Sequence, residues 1–271
     1  MKIKRNKLIF LIVYLAYTSI YIARINLSMA GPDLTNGGVI NTVQLGVLGS
    51  VFSTLYACGR LINGGLSDRR PPWQMLTTGL LIAGISNLLI GFLPPFLAFF
   101  LFWSANAYAQ SMLWSSVLCV VSSLYDKQTA KRKTTVMVTS VAVGNIAAIF
   151  ICSRIITALG VRFAFIIPGM LTVILGGLVF LATKEIKQPE ATDKNHKSMW
   201  QLLKDRHIAL MIVPALFHGV MKENISLWMT VFVVDTYLVD LSESSYYILL
   251  IPVIGFIGRT AYTIVDKLCK E

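Results

Sequence analysis

Charged residues are scarce in this 271-residue chain, making up 14% of it, whereas soluble domains carry about 25%. Hydrophobic residues account for 55%, and apolar runs of about eighteen residues or more recur along the whole length. A soluble core of this size does not need so many such runs. The composition therefore excludes an ordinary soluble enzyme and indicates a protein with several membrane-spanning helices.

Acidic residues are scarcer than basic ones, with 13 Asp and Glu against 24 Lys and Arg, and the net charge is +11. The basic residues are not spread over one face, as nucleic-acid binding would require. They collect in alternate loops, as the positive-inside rule predicts for a membrane protein. The groups are Lys2, Lys4, Arg5 and Lys7; Arg69 and Arg70; Lys127, Lys131, Arg132 and Lys133; and Lys184, Lys187, Lys194, Lys197, Lys204 and Arg206. No nucleic-acid partner is expected, and the N-terminus is predicted to be cytoplasmic.

Cysteine and histidine are also rare, at four and three residues. Their spacing matches neither a disulfide framework nor a metal site, and the cysteines fall in or just after apolar runs: Cys58, Cys119, Cys152 and Cys269. No nucleotide-binding loop and no nucleophile–base pair is present. The sequence therefore predicts no enzyme, no metal and no cofactor.

The apolar runs predict eight membrane spans. A basic start before the first run resembles a signal peptide, but the run is too long for one, so the first helix is expected to be retained. The predicted spans are 8–31, 42–66, 73–94, 96–124, 134–159, 162–183, 207–235 and 245–268. They form a six-helix bundle over 1–183, a cytoplasmic linker over 184–206 and a two-helix unit over 207–271.

An internal repeat relates the two units. The segment ARINLSM at 23–29 matches MKENISL at 221–227 at a shift of 198 residues, which aligns Arg24 with Lys222 and Ser28 with Ser226. The ends of spans two and eight, GRLINGGLSDR and GRTAYTIVDK, align at nearly the same shift. A parallel repeat of six-helix halves is the plan of the major facilitator fold. The predicted fold class is therefore an all-α membrane protein with a six-helix N-terminal bundle and the first two helices of a C-terminal bundle.

On this reading the other four helices of the second half are absent from the sequence. We expect the chain to transport poorly unless that four-helix remainder, or a second copy of the chain, completes the cavity. A non-functional fragment of an interrupted gene is the alternative.

Arg24 lies deep in the first apolar run, where a charged side chain costs at least about 2.5 kcal/mol. Its face of the helix also carries Tyr17, Tyr21 and Ser28, and the matching face of span seven carries His218, Lys222 and Ser226. Two cations facing each other across a water-filled cavity would favour a bound anion, such as a phosphate or carboxylate. The alternative is that Arg24 pairs with Glu223 or with backbone carbonyls and holds the bundle together.

Three further groups in the spans have two readings each. The stripe of Asn106, Gln110 and Trp114 on span four is predicted to be cavity wall, with helix–helix contact as the alternative. Asn145 on span five has the same two readings, and helix–helix contact is the favoured one. Glu223 could carry a proton or neutralise Lys222, and the second reading is favoured.

Several segments resemble the organophosphate–phosphate antiporters of the major facilitator superfamily, the glycerol-3-phosphate and hexose-phosphate transporters. These are YIARINLSMAGPDL, GGLSDRRPP and QSMLWSS. The resemblance implies a substrate site formed by Tyr17, Tyr21 and Arg24 of the first helix, Gln110 and Trp114 of the fourth, and Lys222 of the seventh. Three departures stand out: Ile25 replaces a Lys, Lys222 replaces an Arg, and the His expected on the fifth helix is missing from SVAVGNIAA.

The loop after span two is predicted to act in gating. Gly64 and Gly65 would allow close helix approach, Asp68 could cap a helix or pair across the bundle interface, and Arg69 would anchor the loop. The resemblance implies that this loop latches the two halves together in one of the alternating states. The alternative is that this segment is an ordinary turn whose arginines only hold the loop on the cytoplasmic side.

Together these features predict a secondary active transporter of a small anionic solute, such as a sugar phosphate, glycerol phosphate or other organic anion. It would work by alternating access in the plasma or inner cell membrane, coupled to phosphate or a proton. The alternative function is a transporter-like membrane sensor of such a solute.

Overall fold

The computed structural model describes residues 2–67, 69–186 and 206–268, and the regular structure in these ranges is entirely α-helical. The helices are α1 Lys2–Asn36, α2 Thr42–Ser67, α3 Pro72–Ile90, α4 Phe96–Ser111, α5 Leu113–Leu124, α6 Lys127–Leu159, α7 Phe163–Thr183, α8 Arg206–Tyr237 and α9 Leu241–Leu268. They coincide with the predicted spans, with one difference in the fourth. That span is broken at Met112, whose N–H bonds the Ala109 carbonyl three residues back at 3.2 Å, a locally tightened turn between α4 and α5.

Six helical segments in the described part are long and apolar enough to cross a membrane: Lys4–Asn36, Thr42–Ser67, Pro72–Ile90, Phe96–Leu124, Lys127–Leu159 and Phe163–Thr183. The described side chains of α8 and α9 add shorter apolar stretches, Ile225–Tyr237 and Leu241–Gly255, so the crossing of these two helices stays a prediction. One face of α7 exposes Met170, Ile174, Leu178 and Leu181. Such a continuous apolar stripe is stable against lipid and would be costly in water.

The helix connections lie on two faces of the bundle. The amino-terminal face, as we call it, holds the start of α1 and the ends of α5 and α7. There Arg5 pairs with Glu185, Asn6 Nδ2 donates to the Leu124 carbonyl at 2.8 Å, and the Tyr125 hydroxyl donates to the Asn6 carbonyl at 3.0 Å. The opposite face holds the turns between α1 and α2 and between α8 and α9.

Asp126 begins α6 on the amino-terminal face. Its carboxylate accepts the Thr129 backbone N–H at 3.1 Å and acts as the N-cap. Hydrogen bonds from the Thr129 hydroxyl and backbone hold the pKa of Asp126 below its ordinary value. The basic segment from Lys127 to Lys133 therefore forms the first turns of α6, ahead of its apolar part.

Helix α1 lies at the centre and contacts α3, α6, α7 and α8. Glycines permit the closest approaches in the bundle, as is usual where membrane helices meet. A Cβ at Gly84 of α3 would lie 2.9 Å from the Gly169 carbonyl oxygen of α7, and a Cβ at Gly144 of α6 would lie 2.8 Å from the Thr18 carbonyl oxygen of α1. At these points backbone packs directly on backbone.

The first seven helices meet α8 and α9 near the opposite face. The Ser28 hydroxyl donates to the Ser226 carbonyl at 2.5 Å and lies 3.2 Å from the Thr230 hydroxyl. The two serines are 198 residues apart, so the pair aligned by the sequence repeat is also in contact.

A second contact joins α6 to the start of α9. Ser153 Oγ donates to the Leu241 carbonyl at 3.2 Å, and Arg154 donates to the Tyr246 hydroxyl at 2.9 Å. Both contacts lie toward the opposite face, so the described links between the two units are concentrated at that end.

Candidate functional site

Arg24 is half-buried in α1 and lies against two aromatic rings of α2. Its guanidinium carbon is 4.5 Å from the Tyr56 ring centroid and 5.0 Å from that of Phe52. A cation over an aromatic face gains about 0.5–2 kcal/mol, with the higher values in desolvated sites. The rings therefore offset part of the cost of a charge at this depth. The sequence analysis missed this contact.

Tyr56 lies beside a second cation. The guanidinium carbon of Arg60, one turn further along α2, is 5.5 Å from the same ring centroid. Phe52 and Tyr56 are stacked, with ring centroids 6.0 Å apart and planes inclined by 16°. Two guanidinium groups thus share one tyrosine. The signal in the sequence was the spacing of Phe52, Tyr56 and Arg60 at intervals of four residues, which places them on one side of α2.

Arg24 lines a cavity of about 430 Å³ between α1, α2, α4, α6 and α8. The volume is in the usual range for sites that bind small molecules. Its described lining consists of Tyr21, Arg24, Ile25, Leu27, Ser28, Gly46, Gly49, Ser50, Phe52, Ser53, Thr54, Trp103, Asn145, Ser226, Leu227 and Trp228. Of the predicted substrate-binding residues, this cavity brings together Tyr21 and Arg24.

Tyr17 lies behind the cavity wall, between Tyr21 and Trp114. Its ring centroid is 5.8 Å from that of Tyr21 and 5.4 Å from that of Trp114. Tyr17 is buried and Trp114 is half-buried, and neither is among the described lining residues. The two rings therefore support Tyr21 from within the first six-helix bundle.

The side chain of Gln110 also points into the first six-helix bundle, away from the cavity. Gln110 Nε2 donates to Asn106 Oδ1 at 3.0 Å, and Asn106 Nδ2 donates to the Ala23 carbonyl at 3.3 Å. Both amides are buried. This geometry corresponds to helix–helix contact, the second of the two readings of the stripe on span four.

Two more buried amides hold α1 in place. Asn26 Nδ2 donates to Asn87 Oδ1 at 2.7 Å and to the Ala164 carbonyl at 3.1 Å, and Asn87 Nδ2 donates to the Ala23 carbonyl at 3.2 Å. Each such bond is worth about 0.6 kcal/mol in a membrane protein. Together with Asn106 they fix the backbone just before Arg24 against α3, α4 and α7.

Asn145 lines the cavity, although the sequence analysis favoured helix–helix contact. Its Nδ2 donates to the Val141 carbonyl at 2.6 Å within α6. The preceding Gly144 packs against α1, where a Cβ would lie 2.9 Å from the Tyr21 Cβ. This close approach leaves no room for a side chain at Gly144.

The glycines of the predicted gating loop are not at a close helix contact. No described atom lies within 4 Å of a Cβ built at Gly64 or Gly65. α2 makes its close approach one turn earlier, where a Cβ at Gly59 would overlap the Ser111 side chain and Asn63 Nδ2 donates to Ser111 Oγ at 2.8 Å. Close approach at Gly64 and Gly65 is thus wrong for the described part of this structure.

The remaining predicted residues are placed only in part. Arg69 is exposed on the amino-terminal face, and its N–H bonds the Leu66 carbonyl at 3.0 Å. Asp68 lies outside the described residues. Lys222 and Glu223 belong to α8, but their side chains are outside the described set. Within the residues that are described, His, Cys, Asp and Glu form no group of three or more that could hold a metal ion.

Comparisons with known proteins identify the family. A family model described as Major Facilitator Superfamily matches residues 9–269. A probable hexose phosphate transport protein of Chlamydia trachomatis serovar D is 28% identical over 180 residues, covering 66% of this chain and 40% of the relative. The membrane sensor protein UhpC of Escherichia coli K12 is 26% identical over 206 residues, covering 75% of this chain and 45% of the relative. The chain thus spans less than half the length of these relatives.

A solved structure has the same fold. It is a bacterial homolog of the human lysosomal transporter Spinster, in an inward-facing and unoccupied conformation. The TM-score is 0.78 at 16% identity, covering 94% of this chain and 61% of the other. The family match spans nearly the whole chain, and the names of the relatives describe a transporter and a membrane sensor rather than enzymes. The chain is therefore a multi-pass membrane protein that belongs to the Major Facilitator Superfamily.

Proposed function

We propose that this chain carries the anion-binding site of a secondary active transporter, with Arg24 as the central residue. The observation that supports it most directly is Arg24 in the cavity between the two units, inside a membrane-spanning helix. A guanidinium keeps its charge at this depth, and an ionisable residue within a membrane-spanning helix that lines a cavity marks a functional candidate. Arg60 adds a second positive charge beside Tyr56. Repulsion between like charges is relieved when an anion approaches both.

The solute we propose is a small organic anion, with a phosphate ester as the favoured class. A guanidinium binds phosphate through two parallel hydrogen bonds, which gives geometric selectivity as well as energy. The name of the Chlamydia relative, which refers to hexose phosphate, supports the same class. Lys222 is proposed as the second cation from α8, with Glu223 as its counter-charge or as a proton carrier. Inorganic phosphate or a proton would be the coupling ion.

Tyr17, Gln110 and Trp114 are proposed to act indirectly on that site. Tyr17 packs against the Tyr21 ring and is itself packed against Trp114. Gln110 donates to Asn106, which bonds the Ala23 carbonyl just before Arg24. Their role would be to keep Tyr21 and Arg24 aimed at the cavity.

Alternating access is proposed as the mechanism. The described links between the two units lie near the opposite face, at Ser28 with Ser226 and at Arg154 with Tyr246. Breaking them while new links form at the amino-terminal face would expose the cavity to the other side. Gly64 at the end of α2 and Asp68 and Arg69 just after it are proposed to form the segment that would make the new links.

The orientation follows from the basic loops and gives a prediction. We propose that the amino-terminal face is cytoplasmic, because it carries the basic loops. In a variant lacking native cysteines, Asn36→Cys at the opposite face should react with a membrane-impermeant thiol reagent on intact cells. Gln128→Cys on the amino-terminal face should react only after permeabilisation. Labelling of Gln128→Cys on intact cells would contradict this orientation.

The proposed site is tested by equilibrium binding of radiolabelled inorganic phosphate to the purified protein in lipid nanodiscs. We expect saturable binding that unlabelled phosphate displaces and that weakens as ionic strength rises, because charge pairing is screened. A wild-type protein that is folded and monodisperse but binds no phosphate would refute the site.

A sensor is the second candidate, because the relative aligned over 75% of this chain is named a membrane sensor protein. Counterflow separates the two functions. Proteoliposomes loaded with unlabelled phosphate should accumulate labelled phosphate from outside if the protein is a transporter. Accumulation of labelled phosphate would exclude a sensor that does not transport. Saturable phosphate binding without counterflow is the result expected of a sensor, and it equally fits a transporter of which this chain spans less than half the length.

A further inference from the structure

A second cavity of about 500 Å³ adjoins the first, between α1, α6, α8 and α9. The two cavities share four lining residues: Ile25, Ser28, Asn145 and Ser226. The second cavity thus continues the first past the contact between α1 and α8. Helices of both units line it, and Met221, Ile225 and Ile251 of its lining remain exposed, so it is a cleft between the units that is open on one side.

The walls of the second cavity are mainly apolar. Four of its sixteen described lining residues carry polar side chains, and the others are aliphatic, methionine, proline or glycine. Most of the polar groups already have partners within the protein. Ser28 donates to the Ser226 carbonyl, Asn145 donates to the Val141 carbonyl, and the Thr230 hydroxyl lies 3.6 Å from the Met29 sulfur. Among the described lining residues, few donors remain for a ligand that carries many hydroxyl groups.

The first cavity is different in character. It contains Arg24 and several hydroxyl side chains of α2, among them Ser50, Ser53 and Thr54. The first cavity therefore favours a charged or polar group of a ligand. The second cavity favours an apolar group. A ligand that spans both is therefore matched by an anionic head and an apolar body.

We infer that the solute is an amphipathic organic anion, with its charged group at Arg24 and an alkyl or aryl part between α6 and α9. This inference rests on the proposed anion site and narrows its substrate class. A polyhydroxylated solute such as a sugar phosphate would lose water from its hydroxyl groups without gaining partners in the second cavity. An alkyl group gains from the same transfer, by about fourfold in affinity for each buried CH₂.

The test compares four probes that share one anionic group: inorganic phosphate, glucose 6-phosphate, n-butyl phosphate and n-hexyl phosphate. Each competes with radiolabelled inorganic phosphate on the wild-type protein in nanodiscs. We expect hexyl phosphate, which has two more CH₂ groups, to compete about fifteenfold better than butyl phosphate, and glucose 6-phosphate to compete no better than inorganic phosphate. Glucose 6-phosphate competing as well as hexyl phosphate would overturn the inference while leaving the anion site intact.

Two matched pairs of variants test whether the higher affinity for hexyl phosphate than for butyl phosphate arises in the second cavity. Val141→Thr and Ile251→Thr introduce a hydroxyl at residues that line the second cavity, whereas Val143→Thr and Ile254→Thr place it on neighbouring exposed residues of the same helices. The first pair should reduce the advantage of hexyl over butyl phosphate severalfold and leave inorganic phosphate affinity unchanged. The second pair should retain the full advantage. An advantage that survives in all four folded variants comes from partition into the bilayer and would overturn the inference. Absence of phosphate binding by the wild type would instead refute the underlying anion site.

Discussion

Arg24→Ala is expected to weaken phosphate binding by about ten- to a hundredfold while the protein stays folded. A charge-assisted hydrogen bond contributes about 1.5–3 kcal/mol, and each 1.4 kcal/mol is a factor of ten in affinity. Arg24→Lys should keep the charge but lose the paired hydrogen bonds, so we expect an intermediate loss. Phosphate affinity and the yield of monodisperse protein are measured on the same preparations.

The matched control is Arg162→Ala, which removes an exposed arginine between α6 and α7 that lines neither cavity. It lowers the net charge equally and should leave phosphate affinity unchanged. Unaltered affinity in well-folded Arg24→Ala would end the anion-site proposal, because the charge at the centre of the cavity would then have no part in binding.

The competing role of Arg24, as a structural partner of Glu223, predicts a different pattern. Arg24→Ala would then lower the folded yield by leaving an acidic side chain without its counter-charge, and adding Glu223→Ala would restore it. Under the anion-site proposal the double variant should fold but still fail to bind phosphate. Lys222→Arg should be tolerated and should tighten phosphate binding, because a guanidinium offers two parallel donors.

Gly84→Leu and Gly169→Leu are expected to abolish the monodisperse protein. A Cβ at Gly84 would lie 2.9 Å from the Gly169 carbonyl oxygen and 2.9 Å from the Val173 amide nitrogen. These are backbone atoms, so no rotamer change can relieve the overlap, and α3 would have to move away from α7. Even Gly84→Ala should lower stability by about 1–3 kcal/mol, the usual cost of overpacking.

Gly177 provides the control on α7. No described atom lies within 4 Å of a Cβ built there, so Gly177→Ala should be neutral or stabilise the helix by about 0.5–1 kcal/mol. Size-exclusion profiles and thermal unfolding of Gly84→Ala, Gly169→Ala and Gly177→Ala test whether α3 and α7 are in backbone contact. Equal melting temperatures for the three would show that α3 and α7 are not in backbone contact.

The placement of the helices and of Arg24 could be read from the sequence because both depend on local properties. A run of apolar residues must form a helix in lipid, since each backbone polar group needs a partner within the chain. The length of a run therefore predicts a span without knowledge of its neighbours. The charge of Arg24 is likewise independent of context, so its depth in α1 marks a functional candidate before any contact is known.

Only the tertiary structure decided which side of each helix faces the cavity. Spacing puts Tyr17, Tyr21 and Arg24 on one face, yet Tyr21 and Arg24 line the cavity while Tyr17 packs against Trp114. That outcome depends on the rotation and crossing of whole helices, which a few glycines such as Gly144 control through backbone contact. The aromatic partners of Arg24 come from α2, and no local pattern in α1 encodes them. The sequence by itself therefore determined the spans and the buried charge, and helix packing determined the surroundings of that charge.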